Sequence, residues 1–103
     1  MAYENLIRLA EVMNKLRSPG GCPWDAEQTH ESLLKYLLEE SYEFIESVES
    51  GNRQDMREEL GDILLQVYFH SRIAEEDGED PFTVDDVAKA VADKLISRHP
   101  HVF

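Results

Sequence analysis

Eight positions before Gly51 stands Glu43 and eight after it stands Glu59, while Glu40 and Asp62 stand eleven before and eleven after. If both flanks are helices folded back at Ser50-Gly51-Asn52, a rise of about 1.5 Å per residue sets Glu43 beside Glu59 roughly 12 Å from the turn, and Glu40 beside Asp62 roughly 4.5 Å further along. Within each flank the pairs Glu40/Glu43 and Glu59/Asp62 are three apart, so each pair projects from one side of its helix. Four carboxylates gathered in this way repel one another and resist ionisation unless a cation neutralises them. Oxygen-only donors suit a hard divalent ion, Mg²⁺ or Mn²⁺. Spacing alone leaves a second reading open, that of a solvated surface in an acidic chain. The neighbours favour the metal: Leu37, Leu38, Tyr42, Phe44 and Ile45 surround the first pair, and Leu60, Ile63 and Leu64 the second. A di-iron bundle would need Glu-x-x-His pairs, and the third positions after Glu40 and Glu59 are Glu43 and Asp62. A hard-metal hydrolase of a phosphorylated substrate remains.

The charge balance points the same way. With 22 Asp and Glu against 10 Lys and Arg, a net charge of −12, the chain has the wrong sign for an unassisted nucleic-acid or anionic-membrane surface. A phosphate-bearing ligand would need a metal between it and the protein. Cys22 is the only cysteine, which rules out an intramolecular disulfide and suits a reducing compartment. Neither a signal-peptide pattern nor a long uncharged apolar run is present, so the expectation is a cytoplasmic chain that does not enter a membrane. At 103 residues it fits one domain, spanning 1–103, near the size at which association helps.

Four helices are expected to carry these residues. Leu6, Ile7, Leu9, Ala10, Met13 and Leu16 recur at helical spacing and predict a first helix over 3–17, ended by Ser18-Pro19-Gly20-Gly21. Cys22-Pro23-Trp24-Asp25 reads as a loop, with Trp24 a hydrophobic plug or, as the minority reading, a ring for stacking on a base. Cys22 reads as packing rather than as a nucleophile. The second helix, 26–50, is capped by Asp25 with Gln28 or by Thr29 with Ser32, and the first fits a capping box better. Its expected buried stripe is Leu34, Leu37, Leu38, Ser41, Phe44, Ile45 and Val48. The third, 53–76, is apolar nearly all round from Leu60 to Ile73, which makes it either central or shared with a second subunit. His70 within it reads as a packed or hydrogen-bonded histidine rather than a metal ligand. Thr83 caps a fourth helix, 83–98, with the stripe Val84, Val87, Ala88, Val91, Ala92, Leu95 and Ile96. Its charge runs from Asp85 and Asp86 to Lys94 and Arg98, as the helix dipole alone would favour. His99 and His101 are weak evidence for a metal.

The acidic motif Glu39-Glu40-x-x-Glu43 with Glu59-Leu60-Gly61-Asp62, the upstream Cys22-Pro23-Trp24-Asp25 and the downstream Arg98-His99-Pro100-His101-Val102-Phe103 together closely resemble the MazG family of nucleoside triphosphate pyrophosphohydrolases. The match covers nearly the whole chain. The acidic motif is shared with the wider all-α pyrophosphatase superfamily, whereas the Cys-Pro-Trp-Asp and His-Pro-His-Val-Phe segments are specific to MazG. The resemblance implies an all-α, four-helix-bundle-type fold assembled as a homodimer or dimer of dimers. It also implies Mg²⁺-dependent hydrolysis of a nucleoside triphosphate to the monophosphate and pyrophosphate, often to clear non-standard nucleotides. By the same resemblance Glu40, Glu43, Glu59 and Asp62 are the Mg²⁺ ligands, Glu39 orients or deprotonates the attacking water, and Lys94 and Arg98 hold phosphates; Trp24, on its own stacking reading, is taken with them as a substrate-binding ring. The Cys-Pro-Trp-Asp segment resembles the N-terminal half of two-domain members, so the alternative is a dimerising or regulatory domain that turns over little. A natural short form and an excised domain are both compatible with a sequence that ends at His-Pro-His-Val-Phe.

Overall fold

The computed structural model describes residues 2–103, and among them the chain is all helix and connection: α1 Glu4–Arg17, α2 Pro23–Glu27, α3 His30–Ser50, α4 Arg53–Ala74 and α5 Val84–Arg98. The hairpin of α3 and α4 forms where local chemistry asks for it. Gly51 ends α3 in the left-handed region at φ 74°, which a side chain would disfavour. Asn52 then starts α4 by accepting hydrogen bonds at Oδ1 from the backbone N–H of Gln54 at 3.0 Å and of Asp55 at 3.1 Å.

α4 is the central helix. It packs against α1, α3 and α5, which accounts for its nearly all-round apolar sequence, while α2 lies on α1 and α5 approaches α4 alone. Met13 of α1, Leu33 of α3 and Phe69 of α4 form the buried core, with Leu16, Tyr36, Leu65 and Ile73 around them. Each such side chain contributes about 1.5–3 kcal/mol by leaving water. Tyr68 adds a polar tie, its hydroxyl donating to the Leu6 carbonyl at 3.1 Å.

Between α1 and α3 the chain differs from expectation. Pro23, Trp24 and Asp25 are helical rather than loop, because Pro at the first position of α2 has its φ preset and no N–H to satisfy. The long helix starts four residues later than expected, at His30, and its cap is Thr29 with Ser32, not Asp25 with Gln28. Thr29 Oγ1 accepts from the Ser32 N–H at 3.1 Å and Ser32 Oγ accepts from the Thr29 N–H at 2.8 Å. Gln28 instead joins Ser32 from the side, through Oε1 at 2.7 Å. Four carbonyl and carboxylate oxygens fix this corner on Arg17, whose side chain is 6% exposed. Its guanidinium donates to the carbonyls of Asp25 at 2.7 Å and Gln28 at 3.0 Å, and to both oxygens of Glu76 at 2.9 and 2.8 Å. This pairing holds the Glu76 carboxyl below the usual range. Gly21 makes the approach possible, since a Cβ there would meet the carbonyl oxygens of Lys15 and Leu16.

The buried stripe expected on α3 is in fact two stripes. Leu33 and Ser47 are buried and Leu37, Ser41 and Phe44 half-buried, on the side towards α4. Leu34, Leu38, Ile45 and Val48, expected inside, are exposed in the protomer, and Tyr42 joins them on an uncovered face. α5 is similar. Thr83 caps it as expected, accepting from the Asp86 N–H at 3.2 Å, but none of its residues is buried, and Val91, Leu95 and Ile96 lie open. On α3 the expected stripe left out Leu33, which is the helix's deepest apolar residue at 1% exposure, because the helix is turned with that side to α4; on α5, which touches only α4, no further helix is left in the protomer to cover the apolar face. Among the described residues no helix is long and apolar enough to cross a membrane.

Candidate metal centre

The hairpin carries its mirrored acids where the spacing requires. Glu43 of α3 and Glu59 and Asp62 of α4 each offer a carboxylate oxygen within 4.8 Å of the others. Glu40 lies one turn back on α3 and outside that triad, but its carboxylate is the neighbour of Asp62, as the outer rung predicts. Beside the triad a groove of about 270 Å³ opens, lined by Glu43, Glu46, Ser47, Ser50, Asp55 and Glu59.

Two of these carboxylates hold oxygens that nothing satisfies. Oε2 of Glu40 and Oε2 of Glu59 are sealed from solvent without a hydrogen-bond partner. Loss of water raises the Glu40 carboxyl above its ordinary range, the charges of Asp62, Glu43 and Glu39 push it further, and the neighbouring Gln66 side chain opposes them. Glu59 is raised too, first by loss of water, then by the touching Glu43 carboxyl and the charges of Asp62 and Asp55. A divalent cation held by Glu43, Glu59 and Asp62 would give the Glu59 carboxylate a partner and offset the crowded charge that both carboxyls feel. The donor set fits a hard ion of that kind.

Other expected site residues stand apart from the carboxylates. Glu39 is exposed, next to Glu40 in sequence and bearing on it through charge alone. Trp24, 50% exposed, meets Tyr36 edge-on at 5.9 Å between ring centres, and Tyr36 is four residues before Glu40 on α3. Lys94 and Arg98 lie exposed on the outer half of α5, and neither makes an ion pair or hydrogen bond among the described residues. Sequence reasoning passed over Asp55 and Gln66. Asp55 is four before Glu59, and Gln66 is four after Asp62, so both share the metal face of α4, and that spacing was the available signal.

Residues 28–103 match the model of the MazG nucleotide pyrophosphohydrolase domain. The chain is 58% identical over 95 residues to the nucleoside triphosphate pyrophosphohydrolase/pyrophosphatase MazG of Thermotoga maritima, which covers 92% of this chain and 36% of that one. It is 54% identical over 100 residues to a nucleoside triphosphate pyrophosphohydrolase of Mycobacterium tuberculosis, covering 97% of this chain and 30% of that one. It therefore spans only about a third of these relatives' lengths. The crystal structure of a mazG-related protein from Thermotoga maritima superposes with a TM-score of 0.75 at 29% identity, over 93% of this chain and 81% of that one.

Proposed function

The chain belongs to the MazG nucleotide pyrophosphohydrolase family, and from that premise we propose that it hydrolyses nucleoside triphosphates to the monophosphate and pyrophosphate, using Mg²⁺ held by Glu40, Glu43, Glu59 and Asp62. The observation that carries this reading is the convergence of Glu43, Glu59 and Asp62 within 4.8 Å beside carboxylate oxygens that have no partner. Such an arrangement is costly for a merely structural surface and suited to binding a cation. When bound, the ion supplies Lewis acidity and offsets the charge of the triphosphate.

The chain's own residues do the rest. Glu39, exposed beside Glu40, takes the proton of the attacking water at a carboxylate oxygen as the water oxygen bonds to phosphorus. The anhydride between the α- and β-phosphates breaks, and pyrophosphate leaves. Lys94 and Arg98, four apart on one face of α5, grip the β- and γ-phosphates by charge-assisted hydrogen bonds. Trp24 offers its half-exposed ring to the substrate. Triphosphates with non-standard bases are the class to be cleared. The assembly is a homodimer or dimer of dimers in which the open stripes of α3 and α5 are covered.

Pyrophosphate release over a panel of standard and modified triphosphates, with and without Mg²⁺, tests the proposal. Release that requires the ion is expected. No release from any triphosphate in its presence would leave the weakly active, regulatory reading instead.

A further inference from the structure

Among the described residues the buried polar side chains are Ser47, Gln66 and Ser71. The two serines are explained by their own helices, since Ser47 Oγ donates to the Phe44 carbonyl at 2.6 Å and Ser71 Oγ to the Val67 carbonyl at 2.7 Å. Gln66 is different. It is 4% exposed, and its amide oxygen Oε1 is sealed from solvent without a hydrogen-bond partner. That oxygen costs stability which a Leu or Met of similar size would not cost. Packing therefore gives no reason for an amide at this position.

The register of the hairpin gives one. Gln66 stands fifteen residues after Gly51, one turn beyond Asp62, and it lines an apolar hollow together with Leu37, one turn back from Glu40. Helical side chains lean towards the N-terminus of their helix. Because α3 and α4 run in opposite directions, Glu40 leans away from the turn and Gln66 leans towards it. The two positions differ by four residues along the hairpin axis, roughly 6 Å, which two long side chains leaning together can span. Asp62 leans the other way, towards Glu43, so the same geometry accounts for Glu40 standing outside the triad. Loss of water and the charges of Asp62, Glu43 and Glu39 press Glu40 towards its neutral form, whereas the Gln66 side chain favours the ionised one, as an amide N–H beside a carboxylate does.

Resting on the metal site proposed above, we propose that Gln66 is the positioning residue of Glu40: its amide N–H holds one oxygen of the Glu40 carboxylate and leaves the other to the ion as a fourth ligand beside Glu43, Glu59 and Asp62. Carboxylates that bind metals are commonly held by such an outer hydrogen bond, which fixes their orientation. An amide suits this place better than a charged group. Lys or Arg would pair with Glu40 and compete with the cation, and a further carboxylate would add to the repulsion already present. Burial completes the device. Glu43 and Asp62 are exposed and free to turn, whereas Gln66 is locked between packed helices and can hold its neighbour to one orientation.

Titration of Mn²⁺ into the metal-free full chain, read by the paramagnetic resonance of the free ion, tests this without turnover. Gln66→Met keeps the length of the side chain and removes the donor, and it is expected to weaken Mn²⁺ binding by about tenfold or more. The metal-free melting temperature should hold or rise, since the orphan oxygen goes too. Glu40→Ala should weaken binding as well. The double variant should bind no more weakly than Glu40→Ala alone, because Gln66 acts only through Glu40. A measurement on unaltered Gln66 guards against a variant that folds poorly: its side-chain amide resonances should move when Mg²⁺ is added to the wild type and stay still in Glu40→Ala. Unchanged Mn²⁺ affinity in Gln66→Met, losses that add in the double variant, a silent Gln66 amide, or a melting temperature that falls with the affinity would each overturn the assignment while leaving the metal centre and the hydrolase reading intact. A wild type that binds no Mn²⁺ overturns the metal centre and the positioning role together.

Discussion

A carboxylate oxygen sealed without a partner is tolerable only when its group is protonated or a cation is near, and Glu40 and Glu59 both hold such an oxygen. Glu43→Gln removes one charge from the crowd and one donor from the triad. Pyrophosphate release should fall by about 100-fold or more, while the melting temperature of the metal-free protein rises, because a strained functional cluster is relaxed. Unchanged release in this variant sinks the ligand assignment. The same cluster sets a pH dependence. Glu40 and Glu59 are raised above the ordinary 4.5, so above that value the folded chain holds more protons than the unfolded one and stability falls as pH rises through the raised values. Glu76, lowered by the Arg17 guanidinium, works in the opposite sense, its contribution present above 4.5 and lost as pH falls through the folded value. Thermal melts of metal-free wild type against Glu59→Gln isolate the first effect: the wild type should lose ground to the variant as pH climbs from about 4.5 towards neutrality, and Mg²⁺ should abolish the loss. Lys94 and Arg98 offer a third test. If they only complement the end of α5, Lys94→Gln/Arg98→Gln costs roughly 0.3–1 kcal/mol of stability per residue and nothing else. If they hold phosphates, calorimetry with a non-hydrolysable triphosphate and Mg²⁺ should show affinity weakened by about tenfold or more.

At the scale of the element, the start of α3 shows how two sound local patterns compete. Asp25-x-x-Gln28 and Thr29-x-x-Ser32 both have the spacing of a capping box, and the chain uses the second because Pro23 and Arg17 together commit Asp25 and Gln28 to α2. Thr29→Ala should therefore cost about 1 kcal/mol in denaturant unfolding. Asp25→Ala should stay within about 0.5 kcal/mol, since its carboxylate caps nothing. Equal losses would mean that the two caps share the helix start.

The whole molecule is more extended than its length requires. Its radius of gyration is 15.7 Å, against about 13 Å for a compact chain of this length. The excess lies with uncovered surfaces: Leu34, Leu38, Tyr42, Ile45 and Val48 on α3, and Val91, Leu95 and Ile96 on α5, are all close to half exposed or more. Apolar area on this scale favours burial against another copy. Light scattering of the folded chain should return at least twice 11.9 kDa at micromolar concentration, and a well-folded species of 11.9 kDa would contradict the proposed assembly.

What the sequence determined by itself is what short-range spacing controls. The mirrored acids about Gly51, the cap at Thr83 and the amphipathic period of each helix depend on residues within a few positions, and a turn plus a fixed rise places Glu43 beside Glu59 with no other information. The surplus of apolar residues on α4 was legible as a helix either central or shared with a second subunit, and the packing of α1, α3 and α5 on it makes it central. Tertiary structure decided the rest, because periodicity names a face without naming what covers it. Which stripe of α3 is buried follows from where α4 and α1 lie. The Arg17 to Glu76 clasp joins residues 59 apart, the His30 to His70 stack joins residues 40 apart, and Gln66 is a polar residue on a helical face until the packed helices bury it to 4% exposure. Those partners meet only when the helices pack, so no local pattern could announce them.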